Sequence, residues 1–135
     1  MSAIRLKPLI YIVEDESLIA QMYSEKFTAD GYECKVFSDS KKALQEAKKN
    51  IPDLVVTDII LSGLDGLALL ETLKSDEHTK SIPVILLSNL GIDEYQKRGV
   101  ELGASAYIVK SEVLPADVVD HIKNILRQNG KTPIS

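Results

Sequence analysis

A short apolar stretch in the middle of the chain runs directly into an aspartate and then into a turn. Residues 54–57 read Leu-Val-Val-Thr, Asp58 follows them, and glycines at positions 63 and 66 mark the turn beyond it. A continuous apolar run bounded by turn residues is typical of a strand that is buried on both faces of a parallel sheet. Because open α/β sheets bind ligands at the carboxyl ends of their strands, Asp58 is predicted to lie at a binding edge.

Strand and helix patterns alternate along the rest of the chain. Further apolar runs predict buried strands at residues 9–13, 84–87 and 106–109, and an alternating run at 33–37 predicts an edge strand. Helical patterns follow each strand, and right-handed crossovers between parallel strands place such helices on both faces of a sheet. We therefore predict an α/β fold, a single doubly wound (βα)5 domain whose five-stranded parallel sheet has the flavodoxin-like order 2-1-3-4-5.

Length and charge limit the domain organisation and the classes of function. The 135 residues are the size of one domain, with a lead-in expected at 1–7, the folded domain at 8–128 and a tail at 129–135. A net charge of −4 argues against direct binding of nucleic acid, which depends on lysine and arginine contacts to phosphate. No stretch approaches the about 18 apolar residues of a transmembrane helix. The single cysteine, Cys34, fits a reducing compartment, so a cytoplasmic protein without membrane association is expected.

Chemically active side chains follow four of the predicted strands. Glu14 and Asp15 follow the first strand, Asp58 follows the third, Ser88 closes the fourth and Lys110 ends the fifth. Carboxylates about 4 Å apart repel by about 4 kcal/mol at an effective dielectric near 20, which favours capture of a cation. Oxygen ligands suit Mg²⁺, and a lysine ammonium can contact phosphate oxygens. The set predicts Mg²⁺-dependent phosphoryl transfer to a carboxylate.

The same segments resemble the receiver domain of two-component response regulators, the CheY-like family. The resemblance covers roughly residues 8–128 and rests on five motifs, at residues 12–16, 53–58, 65–66, 82–85 and 103–110. It implies that Asp58 is the phosphoacceptor. It also implies that Asp15, Asp58 and the backbone carbonyl of Ile60 hold Mg²⁺, and that Glu14 acts on the metal through water.

The resemblance further implies a switch and a set of partners. Lys110 and the Ser88 hydroxyl contact the phosphoryl oxygens, and Tyr107 turns inward when Ser88 moves toward them. The donor is a histidine kinase or a histidine phosphotransfer protein, and a downstream protein target docks on helix 4, strand 5 and helix 5. The domain is expected to be a monomer or a phosphorylation-linked dimer. Apart from its own phosphorylation and dephosphorylation, it is not expected to be an enzyme.

Three alternative interpretations stay open. The chain is either a phosphorylation-independent interaction module on the same fold, the excised receiver of a longer regulator, or an enzyme of another class. A haloacid-dehalogenase-type phosphatase needs a second acid two residues after the nucleophile, where this chain has Ile60. A flavin protein needs a phosphate-binding loop after the first strand, where this chain has three acids.

Five positions are notable when the chain is compared with the family pattern: three depart from it and two bear on hydrolysis. Asn89 stands where a small residue is usual, and Ser62 and Ser111 stand where prolines are usual. Ile60 and Leu90 occupy the positions that flank an attacking water, and both are apolar. We therefore predict an aspartyl phosphate that hydrolyses slowly.

Overall fold

The structure, a computed structural model, describes residues 6–131, in which strands and helices alternate along the chain. Residues 1–5 of the expected lead-in and 132–135 of the expected tail lie outside the described residues. Within 6–131, no helix is both long enough and apolar enough to cross a bilayer. The strands are β1 Leu9–Val13, β2 Glu33–Phe37, β3 Leu54–Thr57, β4 Val84–Ser88 and β5 Ala106–Val109. The helices are α1 Ser17–Ala29, α2 Ser40–Lys49, α3 Gly66–Ser75, α4 Asp93–Glu101 and α5 Pro115–Gln128.

The strands form a parallel sheet of order β2-β1-β3-β4-β5, which confirms the predicted fold and strand order. The register places Val13 opposite both Phe37 and Thr57, so the ends of β1, β2 and β3 are level. The residues that follow β1 and β3 therefore leave the sheet side by side. This is the switch point of the sheet, where its strand order reverses.

Two apolar layers cover the two faces of the sheet. On one face, α1 and α5 pack against residues such as Ile10, Ile12 and Val56. On the other face, α2 and α3 pack against Tyr11 and Val55. This packing fixes the strand ends, and the residues that follow them, relative to one another.

The helix α4 packs differently from the others. Within α4, Gly99 is the buried residue, and the side chain of Val100 is 66% exposed. A Cβ atom on Gly99 would lie 2.6 Å from Leu86 Cδ1 and 3.4 Å from Tyr107 Cδ2. The absence of a side chain at Gly99 is what allows α4 to approach β4 and β5 this closely.

Candidate phosphoacceptor site

Lys110 lies between the buried carboxylate of Glu14 and the partly buried carboxylate of Asp58 at the carboxyl edge of the sheet. Its Nζ atom is 2.7 Å from Asp58 Oδ2 and 3.0 Å from Glu14 Oε1. The side chains of Lys110, Asp58 and Glu14 are 11%, 14% and 5% exposed, respectively. Because β4 separates β3 from β5, the lysine side chain extends across the end of β4 to reach these acids. Residues from three strand ends are thus joined in one ionic cluster.

The backbone around Asp58 is held from several directions. The Asp58 carboxylate accepts a hydrogen bond from Ile59 N at 2.6 Å, and the Thr57 hydroxyl donates to the Asp58 carbonyl at 2.9 Å. Asp65 accepts from the first turn of α3. A Cβ atom on Gly66 would lie 2.0 Å from the Asp58 carbonyl oxygen, so only glycine permits α3 to begin this close to Asp58.

The ionic contacts set the charge of the proposed nucleophile. Burial alone raises the pKa of Asp58, but hydrogen bonds from Lys110 and Ser88, together with the lysine charge, outweigh it and hold that pKa below its ordinary value. Burial alone lowers the pKa of Lys110, and its two carboxylate partners outweigh it and raise that pKa. Asp58 is therefore ionised and Lys110 protonated at neutral pH.

Glu14 is the carboxylate of this cluster whose pKa is raised. Burial raises its pKa to about 7, and the hydrogen bond and charge of Lys110 only partly oppose this. Its Oε2 atom is buried and has no hydrogen-bond partner among the described residues. A buried carboxylate oxygen without a partner is costly, and such oxygens are commonly explained by an ion or a water.

Ser88 and Tyr107 meet at Leu90. The Ser88 side chain is 1% exposed, and its oxygen accepts a hydrogen bond from Leu90 N at 3.3 Å. The Tyr107 hydroxyl donates to the Leu90 carbonyl. The side chain of Asn89, between the two bonded residues, is exposed. The two predicted switch residues are therefore linked through one residue of the loop after β4.

The predicted metal ligands differ in their surroundings. Asp15 is exposed, unlike its buried neighbour Glu14, and the Ile60 side chain is 64% exposed. Within residues 6–131, no three His, Cys, Asp or Glu side chains are grouped so as to hold a metal ion. Mg²⁺ needs only one or two carboxylates when waters and phosphate oxygens complete its shell. The donor chemistry of Asp15, Asp58 and a backbone carbonyl, beside the unpartnered oxygen of Glu14, fits that ion.

Two contacts near Asp58 were not predicted from the sequence. The first is the approach of Gly66 to the Asp58 backbone, for which the turn glycine after the strand is a usable signal. The second is the contact of the Ser40 hydroxyl, which has one proton to donate, with the carbonyls of Leu64 at 2.7 Å and Ser62 at 3.2 Å. No local pattern indicates the second contact, because 22 residues separate Ser40 from Ser62.

The chain is thus an α/β domain of flavodoxin-like strand order in which a lysine bridges two carboxylates at the carboxyl edge of the sheet. Residues 10–128 match the response regulator receiver domain family, and the chain belongs to that family. This confirms the predicted family and its function as a two-component receiver, and it does not favour the phosphorylation-independent alternative.

Curated relatives of the chain are transcriptional regulators. The chain is 36% identical over 121 residues to the phosphate regulon transcriptional regulatory protein PhoB of Pseudomonas aeruginosa. The aligned region covers 90% of this chain and 52% of PhoB. The chain is 32% identical over 128 residues to the transcriptional regulatory protein PrrA of Mycobacterium tuberculosis, covering 95% of this chain and 54% of PrrA. The chain spans about half the length of these relatives.

Solved structures of receiver domains have the same fold. A putative response regulator from Chloroflexus aurantiacus superposes with a TM-score of 0.84 at 31% identity, covering 90% of this chain and 98% of the other. The receiver domain of the Francisella response regulator 1452 gives a TM-score of 0.83 at 30% identity, covering 93% of this chain and 100% of the other.

Proposed function

We propose that the domain accepts a phosphoryl group on the carboxylate of Asp58 from a histidine kinase or a histidine phosphotransfer protein. A carboxylate oxygen of Asp58 forms the new P–O bond while the P–N bond to the donor histidine breaks, and the donor imidazole takes up a proton. The observation that carries the proposal is the 2.7 Å contact between the Lys110 ammonium and Asp58. A partly buried, ionised carboxylate beside a fixed cation is a suitable nucleophile for this transfer.

Lys110 and Ser88 act on the transferred group. The Lys110 ammonium already donates to Asp58 Oδ2, so it can bind a phosphoryl oxygen after transfer without leaving its position. The Ser88 hydroxyl helps to lower the pKa of the same carboxylate, and it can donate to a second phosphoryl oxygen. Together they offset the charge of about −1.5 to −2 that phosphorylation adds.

Asp15, Asp58 and the Ile60 carbonyl are the residues that would hold Mg²⁺, with Glu14 acting through a bound water. When bound, the ion neutralises negative charge on the oxygens of the phosphoryl group. A water on the ion would supply the hydrogen-bond donor that the buried Oε2 of Glu14 lacks. This chain would contribute the ligands, and Lys110 supplies a second, fixed cation beside Asp58 and Glu14.

Ser88 and Tyr107 form the switch that carries the signal to α4, β5 and α5. Movement of Ser88 toward a phosphoryl oxygen breaks its hydrogen bond with Leu90, whose carbonyl also holds the Tyr107 hydroxyl. Loss of this link frees the tyrosine ring to turn inward. The helix α4 responds because it buries little side chain and rests on Tyr107 through Gly99.

The phosphodonor and the target use different faces in this proposal. Three exposed apolar side chains lie near the carboxyl edge of the sheet and suit contact with a protein donor: Leu18 at 81%, Ile60 at 64% and Leu114 at 69% exposure. The downstream protein binds α4, β5 and α5. The domain works in the cytoplasm as a monomer or a phosphorylation-linked dimer, with residues 8–128 as its folded unit and the ends as lead-in and tail.

Phosphorylation by a small-molecule donor tests the proposal. Incubation with acetyl phosphate and Mg²⁺ is expected to add about 80 Da to the intact protein. Asp58→Asn is expected to abolish the adduct, whereas Asp120→Asn, which alters an exposed carboxylate on α5, retains it. An adduct that survives Asp58→Asn, or its absence in the unaltered protein, overturns the proposal.

A further inference from the structure

The loop between β3 and α3 carries two groups of the proposed site. It follows Asp58 directly and contains Ile60, whose carbonyl is a proposed Mg²⁺ ligand. The loop has Ser62 at the position where the family pattern has a proline, so its backbone lacks the constraint on φ that a proline ring imposes. Without a proline, the course of this loop depends on its other contacts.

The buried hydroxyl of Ser40 contacts the loop at two points. Ser40 is 0% exposed at the start of α2, and its Oγ atom lies 2.7 Å from the Leu64 carbonyl and 3.2 Å from the Ser62 carbonyl. The backbone N–H of Ser40 also donates to the Ser62 carbonyl at 3.4 Å. An isolated parallel bridge between Asp39 and Ser62 accompanies these bonds. The N-terminus of α2 therefore holds the carbonyls on both sides of Gly63.

The conformation of Gly63 shows how closely the loop is seated. Its φ angle of +87° lies in the left-handed region that favours glycine. A Cβ atom there would lie 2.9 Å from Ser40 Oγ and 3.1 Å from Asp39 Oδ1. The backbone of the loop thus packs directly onto the first residues of α2, with no side chain between them.

The far end of the loop is fixed as well. Gly66 N donates to the Ile59 carbonyl at 2.7 Å, and Gly66 packs against the Asp58 backbone. Ile59 is held through its carbonyl by Gly66, and Ser62 is held by Ser40. The two residues between Ile59 and Ser62 therefore have little conformational freedom. Ile60 is one of these two residues.

We propose that Ser40 is a positioning residue for the Mg²⁺ site, because its hydroxyl fixes the loop that presents the Ile60 carbonyl. The inference rests on the proposed function, since it assumes that Ile60 and Asp58 bind the ion. Ser40 itself does not touch the metal. It acts as outer-shell partners of metal ligands do, by orienting a ligand that it does not replace.

A matched pair of buried hydroxyls makes the test specific. Thr79 is also 0% exposed, and its hydroxyl donates to the Leu73 carbonyl at 2.7 Å, at the opposite end of α3. Ser40→Ala therefore removes buried hydrogen bonding to the loop before α3, and Thr79→Ala removes a buried hydrogen bond to the end of α3. Ser40→Cys keeps the side-chain size with a much weaker donor, and it serves if Ser40→Ala does not fold.

The experiment titrates each purified variant with Mg²⁺, follows the backbone amide shifts of Asp58 and Ile60 by NMR, and records the melting temperature. Ser40→Ala is expected to weaken Mg²⁺ binding by about 10-fold, the lower end for outer-shell partners. Thr79→Ala is expected to lower the melting temperature about as much as Ser40→Ala does, and to leave the Mg²⁺ affinity within about twofold of the parent value.

The outcomes separate the inference from the proposed function. Unaltered Mg²⁺ affinity in Ser40→Ala or Ser40→Cys, with normal binding by the parent protein, overturns the role of Ser40 alone. Equal losses of affinity in the Ser40 and Thr79 variants also overturn it, because they would reflect general destabilisation. A parent protein that binds no Mg²⁺ overturns the proposed metal site and the inference with it.

Discussion

The Lys110 ammonium lies 2.7 Å from the Asp58 carboxylate across the end of β4, and the same nitrogen lies 3.0 Å from Glu14. This one side chain keeps the buried acid and the partly buried acid at the same edge of the sheet. It holds the pKa of Asp58 down, although burial alone would raise it. The proposed nucleophile is therefore already charged, and the group that stabilises it remains in place to meet the phosphoryl oxygens.

Loss of the lysine charge should slow phosphorylation strongly. Lys110→Ala is expected to reduce the rate of phosphorylation by acetyl phosphate by about 100-fold, the scale for removing one charge-stabilising donor from a transition state. Lys123→Ala, which changes an exposed lysine of α5, is the control and should react at the parent rate. Intact-protein mass spectrometry over time measures both. A Lys110→Ala rate within about twofold of the parent rate would contradict the assigned role.

The stability of the metal-free protein should fall as the pH rises toward neutrality. Glu14 has a pKa raised from 4.5 to about 7, so the folded state holds its proton more tightly than the unfolded state does. Its stabilising effect is complete below pH 4.5 and is lost as the pH rises through the folded pKa near 7. The change amounts to roughly 3 kcal/mol at about 1.36 kcal/mol per pH unit.

Glu14→Gln tests that pH dependence. The amide cannot ionise, so this variant is expected to lack the fall in stability between about pH 4.5 and 7. Urea unfolding in the presence of a chelator measures the free energy of unfolding across this range. Glu71→Gln, a change on the exposed surface of α3, should keep the parent profile. A Glu14→Gln profile parallel to that of the parent protein would show that Glu14 is not the titrating group.

A polar side chain at Ile60 should shorten the life of the aspartyl phosphate. Ile60 is 64% exposed, so replacing it with asparagine costs little packing while offering a group that can orient an attacking water. We expect Ile60→Asn to hydrolyse at least several-fold faster, followed as loss of the mass adduct after removal of the donor. Ile51→Asn alters another exposed isoleucine, at the opposite edge of the sheet, and should leave the lifetime unchanged. An unchanged lifetime in Ile60→Asn would refute the expectation.

Alanine at Gly99 should destabilise the domain although alanine favours helices. The helix preference alone predicts a gain of about 1 kcal/mol. The added Cβ would lie 2.6 Å from Leu86, and overpacking of this kind costs about 1–3 kcal/mol. Gly91→Ala is the control, since a Cβ there meets only Val109, at 3.9 Å. A Gly99→Ala variant that melts higher than the parent would contradict the close contact between α4 and the sheet.

Much of the fold and the members of the site followed from strand patterns. Apolar runs that end in Asp58, Ser88 and Lys110 had to bring these residues to one edge, because the carboxyl ends of parallel strands coincide. Which of two adjacent acids is buried did not follow from the pattern. Glu14 N still donates to the Phe37 carbonyl, so Glu14 continues the pairing of β1 with β2 and its side chain is buried. The next residue, Asp15, is exposed.

Contacts between distant segments were beyond sequence reasoning. The helical spacing of Ile19, Met22, Tyr23 and Phe27 predicts that Met22 faces the core, yet Met22 is 43% exposed and α1 buries Ala20 instead. The direction of the buried face depends on how α1 rests on the sheet, which no local pattern records. The same holds for Ser40, whose partners lie on another loop.

Chemical trapping of the modified residue tests the central claim most directly. Borohydride reduces an aspartyl phosphate to homoserine, which tandem mass spectrometry of peptides assigns to a single position. After phosphorylation by acetyl phosphate with Mg²⁺, we predict homoserine at position 58 in the unaltered protein and none in Lys110→Ala treated for the same short time. Aspartate that remains at position 58 in protein carrying the phosphoryl adduct would contradict the account.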